Sequence, residues 1–191
     1  MQIKHNEMNY KNKKWNNFEI SYLNTFNNDV PIYTPSIYRE YRGEIFTTFH
    51  SSEHPALYYI KSAGYKDIKI HDRFSKSYKN VLRGLHYDDK TWKLVQALVG
   101  EIYLVVLDMR SGETYGKWES YILSDKTRDQ VLVPPGFANG HYALTDCIFH
   151  YNIFYESEYV DENKQSVVRW NNPTFNIEWP TNSPTLQKRD K

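Results

Sequence analysis

Apolar and polar residues alternate along this chain over short, strand-like stretches. From Val30 onward, runs rich in Val, Ile, Tyr, Phe and Thr recur between Gly, Pro, Asn and Asp: GEIFTTF, KNVLRGLHY, KLVQALVGEIYLVVLDM, GKWESYILS, QVLVPPGFANGHYAL, CIFHYNIFY and SVVRW. Strands at this spacing, with turn signals between them, predict an all-β sandwich, barrel or jelly roll. Gly100 splits the longest run into two strands joined by a tight turn. Helical periodicity is weak, and LYYIKSAGYKDI is read as one short helix or turn. Residues 1–29 are polar and rich in Asn and Lys. They are read as an N-terminal arm, with Trp15, Phe18 and Tyr22 as aromatics able to anchor it on a neighbour, and residues 30–191 as one domain.

Composition removes several partners. With 24 Lys plus Arg against 23 Asp plus Glu, the net charge of +1 builds no field for nucleic acid or an anionic membrane, although a small anion held by a few local cations is compatible with it. The single cysteine, Cys147, excludes a disulfide within the chain and fits a reducing compartment. The opening MQIKHNEMNYKNKKW lacks the apolar run of a signal peptide, and no segment approaches membrane-spanning length. A soluble cytoplasmic protein is expected.

The stretch VLRGLHYDDKTWKLV, residues 81–95, places Arg83, His86 and Lys93 in strand-like surroundings. In a regular strand Arg83 and His86 point to opposite faces. A bulge at Gly84 would bring them to the same side. Without one, Arg83 reads as a surface cation and His86 as a hydrogen-bonded core residue.

Separated motifs in one order change that reading. VLRGLHY with KLV, GEIYLVVLDMRSGETYGKW, VPPGFANGHYAL, FHYNIFY and RWNNPTFNIEWP, preceded by REYRGEIF and HDRFSKSYKN, resemble the dTDP-4-dehydrorhamnose 3,5-epimerase family from about Val30 to the C-terminus. The resemblance implies a cupin-type jelly roll, the double-stranded β-helix, with few short helices and usually found as a homodimer. It also implies a nucleotide-diphosphate 4-keto sugar as substrate, epimerised with no metal and no organic cofactor. The ketone acidifies the C–H bonds beside it: a base takes a proton from C3 or C5, the charge moves to the C4 oxygen, and an acid on the opposite face returns a proton.

By the same resemblance His86 is the base, a role suited to an imidazole that titrates near neutrality. Asp190 is the carboxylate that orients it, Lys93 the cation for the developing enolate, and Tyr151 the acid. Arg42, Arg83 and Arg189 match contacts to the substrate's diphosphate, for which a forked guanidinium is apt. Arg73, Asn139 and His141 are further substrate-binding candidates.

The chain also departs from the pattern. Asn139 in GFANGHY stands where the family's G-F-A-H-G-F has a histidine, and Leu104 where an aspartate commonly partners that histidine. His71, Asp72 and Arg73 fall where the family reads Q-D-N, and Thr47 where it has glutamate. Proton transfer is therefore expected to persist while sugar recognition changes, and the pattern most resembles a subgroup acting on GDP-linked 4-keto heptoses in capsule biosynthesis. The alternative within the family is a dTDP-linked 4-keto-6-deoxy-hexose 3,5-epimerase, and three competitors remain outside it: a metal-dependent cupin, for which the histidine spacing offers no His-x-His cluster, a non-catalytic sugar-binding jelly roll, and a 3,4-ketoisomerase.

Overall fold

The computed structural model describes residues 13–15 and 17–191. Two antiparallel sheets pack face to face. One runs in the order β1 (Lys13–Trp15), β2 (Phe18–Tyr22), β3 (Pro31–Pro35), β11 (Gln130–Val133), β8 (Trp92–Val99), β13 (Cys147–Tyr155), β6 (Lys69–Ser77). The other runs β10 (Trp118–Ser124), β9 (Glu101–Asp108), β12 (Phe137–Ala143), β7 (Leu82–Tyr87), β14 (Ser166–Val167). A separate hairpin joins β4 (Ile37–Glu40) to β5 (Gly43–Phe46), and the α-helix among the described residues is α1 (Pro55–Ser62). This is an all-β jelly roll, one of the three architectures the alternation allows and the one the resemblance implies.

The long uninterrupted apolar runs are the central strands, buried on both faces. Val95, Ala97 and Phe149 of the larger sheet meet Leu104, Val106 and Phe137 of the smaller one in the shared interior. Outside the larger sheet, Trp92, Leu94 and Phe154 pack under α1 through Leu57 and Ile60. Outside the smaller sheet, Tyr103, Val105 and Leu107 are covered by Trp170, Trp179 and Leu186 of the C-terminal segment. Edge strand β6, by contrast, buries only its last residue. Gly100 makes the expected β8–β9 turn at a φ of 77°, its N–H donating to the Asp125 carboxylate at 2.8 Å.

The arm expected over 1–29 does not end where the composition changes. Residues 1–12 and 16, with the Trp15 side chain, lie outside the described residues. Phe18–Tyr22, however, is hydrogen-bonded along β3. Phe18 and Ile20 are buried beside α1, and Phe26 enters the interior, edge-on to Phe137 at 5.2 Å. Alternate apolar residues in FEISY supply a strand face that the surrounding Asn and Lys obscure. Among the described residues, no helix is long and apolar enough to cross a membrane.

Candidate active site

Gly84 decides the geometry of the site. Its φ is +111°, a conformation that side chains with a Cβ rarely adopt, and a Cβ there would sit 2.6 Å from both the Asn139 carbonyl oxygen and Gly140 Cα. Across the β7–β12 ladder His86 faces Asn139 and Arg83 faces His141, so three steps on β7 oppose two on β12. That is the bulge expected from the glycine, and it brings Arg83 and His86 to one cavity.

The cavity, about 220 Å³, lies between the sheets. The smaller sheet contributes His86, Arg83, Asn139 and His141, and the larger one Lys93, Tyr151 and Arg73. Arg189 joins them from the C-terminal turn. Among the described residues Arg73, Arg83, Lys93 and Arg189 are its cations, and no carboxylate lines it. In a chain of net charge +1, this is a local concentration of positive charge suited to a diphosphate.

His86 Nε2 lies 2.7 Å from Asp190 Oδ1. A carboxylate only accepts, so Nε2 carries the proton and Nδ1 is the basic nitrogen. Asp190 is 1% exposed and does not itself line the cavity. The segment that carries Asp190 is tied to β7 and the residues just before it. Leu82 N donates to Thr185 O at 3.0 Å and Thr185 N to Asn80 O at 2.8 Å, while Leu186 packs on the smaller sheet.

Lys93, on the inner face of β8, is 7% exposed and donates to Asn139 Oδ1 at 3.1 Å. Among the described residues no carboxylate lies within ion-pair distance of it. Burial pushes its ammonium down to about 8; Asp88 opposes the shift and Arg189 adds to it. Tyr151 faces the cavity from β13, opposite the sheet that holds His86, with the Arg73 guanidinium 5.9 Å from its ring centroid.

The remaining candidates divide. Arg83 lines the cavity, with Nε donating to Ser77 Oγ at 2.9 Å. Arg42 does not line it. It sits in the β4–β5 turn, its side chain 72% exposed and paired with Glu40 at 2.7 Å, because the hairpin projects it into solvent. Leu104 is fully buried opposite His141, whereas Val106 faces Asn139. The polar partner of Asn139 is therefore Lys93.

Sequence reasoning missed Tyr159, whose hydroxyl receives a hydrogen bond from Arg73 Nη1 at 2.7 Å, and Gln165 and Gln187, which also line the cavity. Tyr159 and Gln165 belong to the segment between β13 and β14, where no motif marks them. Among the described residues, no group of three or more His, Cys, Asp or Glu is placed to hold a metal ion.

The sequence profile of the dTDP-4-dehydrorhamnose 3,5-epimerase family matches residues 25–191. The chain is 34% identical to the dTDP-4-dehydrorhamnose 3,5-epimerase of Shigella flexneri, across 85% of its own length and 88% of that protein's. Among solved structures it is similar to the dTDP-6-deoxy-D-glucose-3,5-epimerase of Legionella pneumophila in complex with dTDP-4-keto-L-rhamnose, with a TM-score of 0.73, 32% identity and 85% of each chain covered. It is also similar to the dTDP-4-dehydrorhamnose 3,5-epimerase of Bacillus anthracis with TDP and PPi bound, with a TM-score of 0.76, 28% identity, and 91% of this chain and 96% of that chain covered. Profile, relatives and jelly roll agree, and the chain belongs to the dTDP-4-dehydrorhamnose 3,5-epimerase family of cupin-type isomerases.

Proposed function

We propose that the protein is a cofactor-independent epimerase that inverts C3, with or without C5, of a nucleotide-diphosphate 4-keto sugar. The observation that carries this reading is the buried Lys93 ammonium, whose hydrogen-bond partner among the described residues is the neutral Asn139 amide, lining one cavity with Tyr151 and with His86, itself paired to Asp190. A desolvated cation of this kind stabilises negative charge far better than one in water. Removal of the proton beside the ketone puts that charge on the C4 oxygen.

His86 Nδ1 takes the proton, while Asp190 fixes the ring and stabilises the imidazolium that forms. Lys93 holds the enolate oxygen. Tyr151, on the opposite sheet, delivers a proton to the other face of the carbon, which inverts its configuration. Arg83, Arg73 and Arg189 hold the diphosphate.

The relatives' names favour a dTDP-linked 4-keto-6-deoxy hexose. A GDP-linked 4-keto heptose of capsule biosynthesis is the second reading, favoured by Asn139 and Leu104, which depart together from the family's polar pair. A homodimer is proposed on the family resemblance, and sedimentation velocity tests it. Incubation in heavy water with dTDP- and GDP-linked 4-keto sugars tests the chemistry: deuterium appears at C3 of the preferred nucleotide sugar. Absence of incorporation with both would remove the epimerase reading.

A further inference from the structure

His141 is the buried polar group of the cavity that the proton-transfer scheme does not use. It lies on the same face of β12 as Asn139, one strand repeat or about 7 Å further along. The residue is 4% exposed, and its Nε2 is buried with no hydrogen-bond partner. The ring is stacked on Phe149, with centroids 4.2 Å apart and planes 21° apart, so packing sets the plane in which its two nitrogens can bond. Across the β13–β6 ladder, Phe149 pairs with Ser75, whose Oγ is a second buried polar atom without a partner and which lines the same cavity. Two unsatisfied polar atoms of the cavity lining are thus tied to the Phe149 position, one on the ring stacked against it and one across the ladder from it. Buried polar groups are otherwise paired in folded proteins, so unpaired ones that line a cavity mark where a ligand supplies the partner.

We propose that His141 selects the sugar by hydrogen bonding to a hydroxyl carried on C2 or C6, beyond the C3–C4–C5 unit handled by His86, Lys93 and Tyr151. The proposal rests on the epimerase reading and adds to it the group that the pocket recognises. The ring's charge state fits a hydroxyl better than a phosphate. Burial, with Arg83 and His86 in the same direction and Asp190 against them, pushes the imidazole down to about 3. A neutral imidazole offers one donor and one acceptor, the complement of a hydroxyl, and carries no charge for a diphosphate or an enolate. The histidine of the G-F-A-H-G-F motif is displaced here by two residues, which keeps it on the inner face while moving it along the sugar.

The test compares 4-keto sugar nucleotides that carry or lack a hydroxyl at C2 and, separately, at C6, using the rate of deuterium incorporation and the dissociation constant from calorimetry. The native protein is expected to prefer one hydroxylated sugar over its deoxy analogue by about 10²-fold or more. In His141→Phe, an aromatic of similar shape, that ratio falls to within about threefold whatever the absolute rate. In His141→Gln, which keeps a donor and an acceptor, part of the preference returns. If His141→Phe retains the native ratio at both positions, or the native protein shows no preference at either, the assignment is overturned. Should no sugar incorporate deuterium, the epimerase reading fails separately, and the dissociation constants still decide whether His141 reads a hydroxyl.

Discussion

His86 Nε2 and Asp190 Oδ1 are 2.7 Å apart, although 104 residues separate them in the chain. The pairing leaves Nδ1 as the ring's basic nitrogen, and in the proposed mechanism Asp190 orients the base through it. Asp190→Asn can present an amide N–H to Nε2 and favour the wrong tautomer, so deuterium incorporation at C3 is expected to fall by about 10²-fold or more. His86→Asn removes the base and abolishes incorporation at C3 and C5. A variant ending at Arg189 should match Asp190→Asn; full activity in it would break the link between C-terminus and base.

Tyr151→Phe removes one hydroxyl and leaves the base untouched. Exchange at C3 should continue, because the proton removed by His86 still equilibrates with solvent, while formation of the inverted product slows by about 10²-fold. Product ratios read by NMR against exchange read by mass spectrometry separate the two steps. An unchanged ratio would place the acid elsewhere.

The Lys93 ammonium titrates near 8 rather than at its ordinary 10.5. Since the enolate needs the protonated form, kcat/KM should fall as pH rises through about 8, because this parameter reports the free enzyme. Lys93→Arg cannot lose its proton in this range, so that limb should disappear even though the variant is slower. A pH–rate profile that keeps the limb in Lys93→Arg would assign it to another group.

The same residue makes stability depend on pH. Its folded value lies below its unfolded value, so the charged lysine is a cost to the fold below about 8, and stability rises with pH between about 8 and 10.5 as only the unfolded chain keeps the proton. The cost is on the order of 3 kcal/mol, partly offset by the bond to Asn139. Lys93→Met should therefore be more stable than the native protein by about 2 kcal/mol at pH 7 while inactive, with the gap closing toward pH 10.5. Urea denaturation at the two pH values measures it, and a destabilised Met variant would contradict the account.

The runs were sufficient for an all-β fold, since a central strand such as KLVQALV is covered on both faces and is recognised without its partners, but the choice of a jelly roll over a sandwich or barrel came from the family resemblance. The motifs point to His86, Lys93, Tyr151 and Arg42 alike, yet only the first three line this cavity. A motif carries residue identity, but the destination of a side chain depends on packing, and the β4–β5 hairpin carries Arg42 away from this cavity. Tyr159 carried no signal, being one of 17 tyrosines and placed by a connecting segment rather than by a strand register. Strand β2 was hidden by its polar flanks, and becomes evident only when Phe18 and Ile20 are seen against α1.

Gly84 is where fold and chemistry meet, and its substitution is the sharpest test of the bulge. Alanine there combines a φ of +111° with contacts of 2.6 Å to the Asn139 carbonyl oxygen and Gly140 Cα, both backbone atoms that cannot swing aside. Relief requires β7 and β12 to separate or the bulge to unwind, and unwinding returns Arg83 and His86 to opposite faces. Gly84→Ala is therefore expected to lose about 2 kcal/mol or more of stability. In the fraction that folds, activity should fall far more than that of a control such as Gly112→Ala, where a Cβ meets nothing within 4 Å although the φ is also positive. Thermal unfolding and deuterium incorporation on the same samples measure both effects, and a Gly84→Ala protein with native stability and native exchange would mean that the bulge is not what assembles the site.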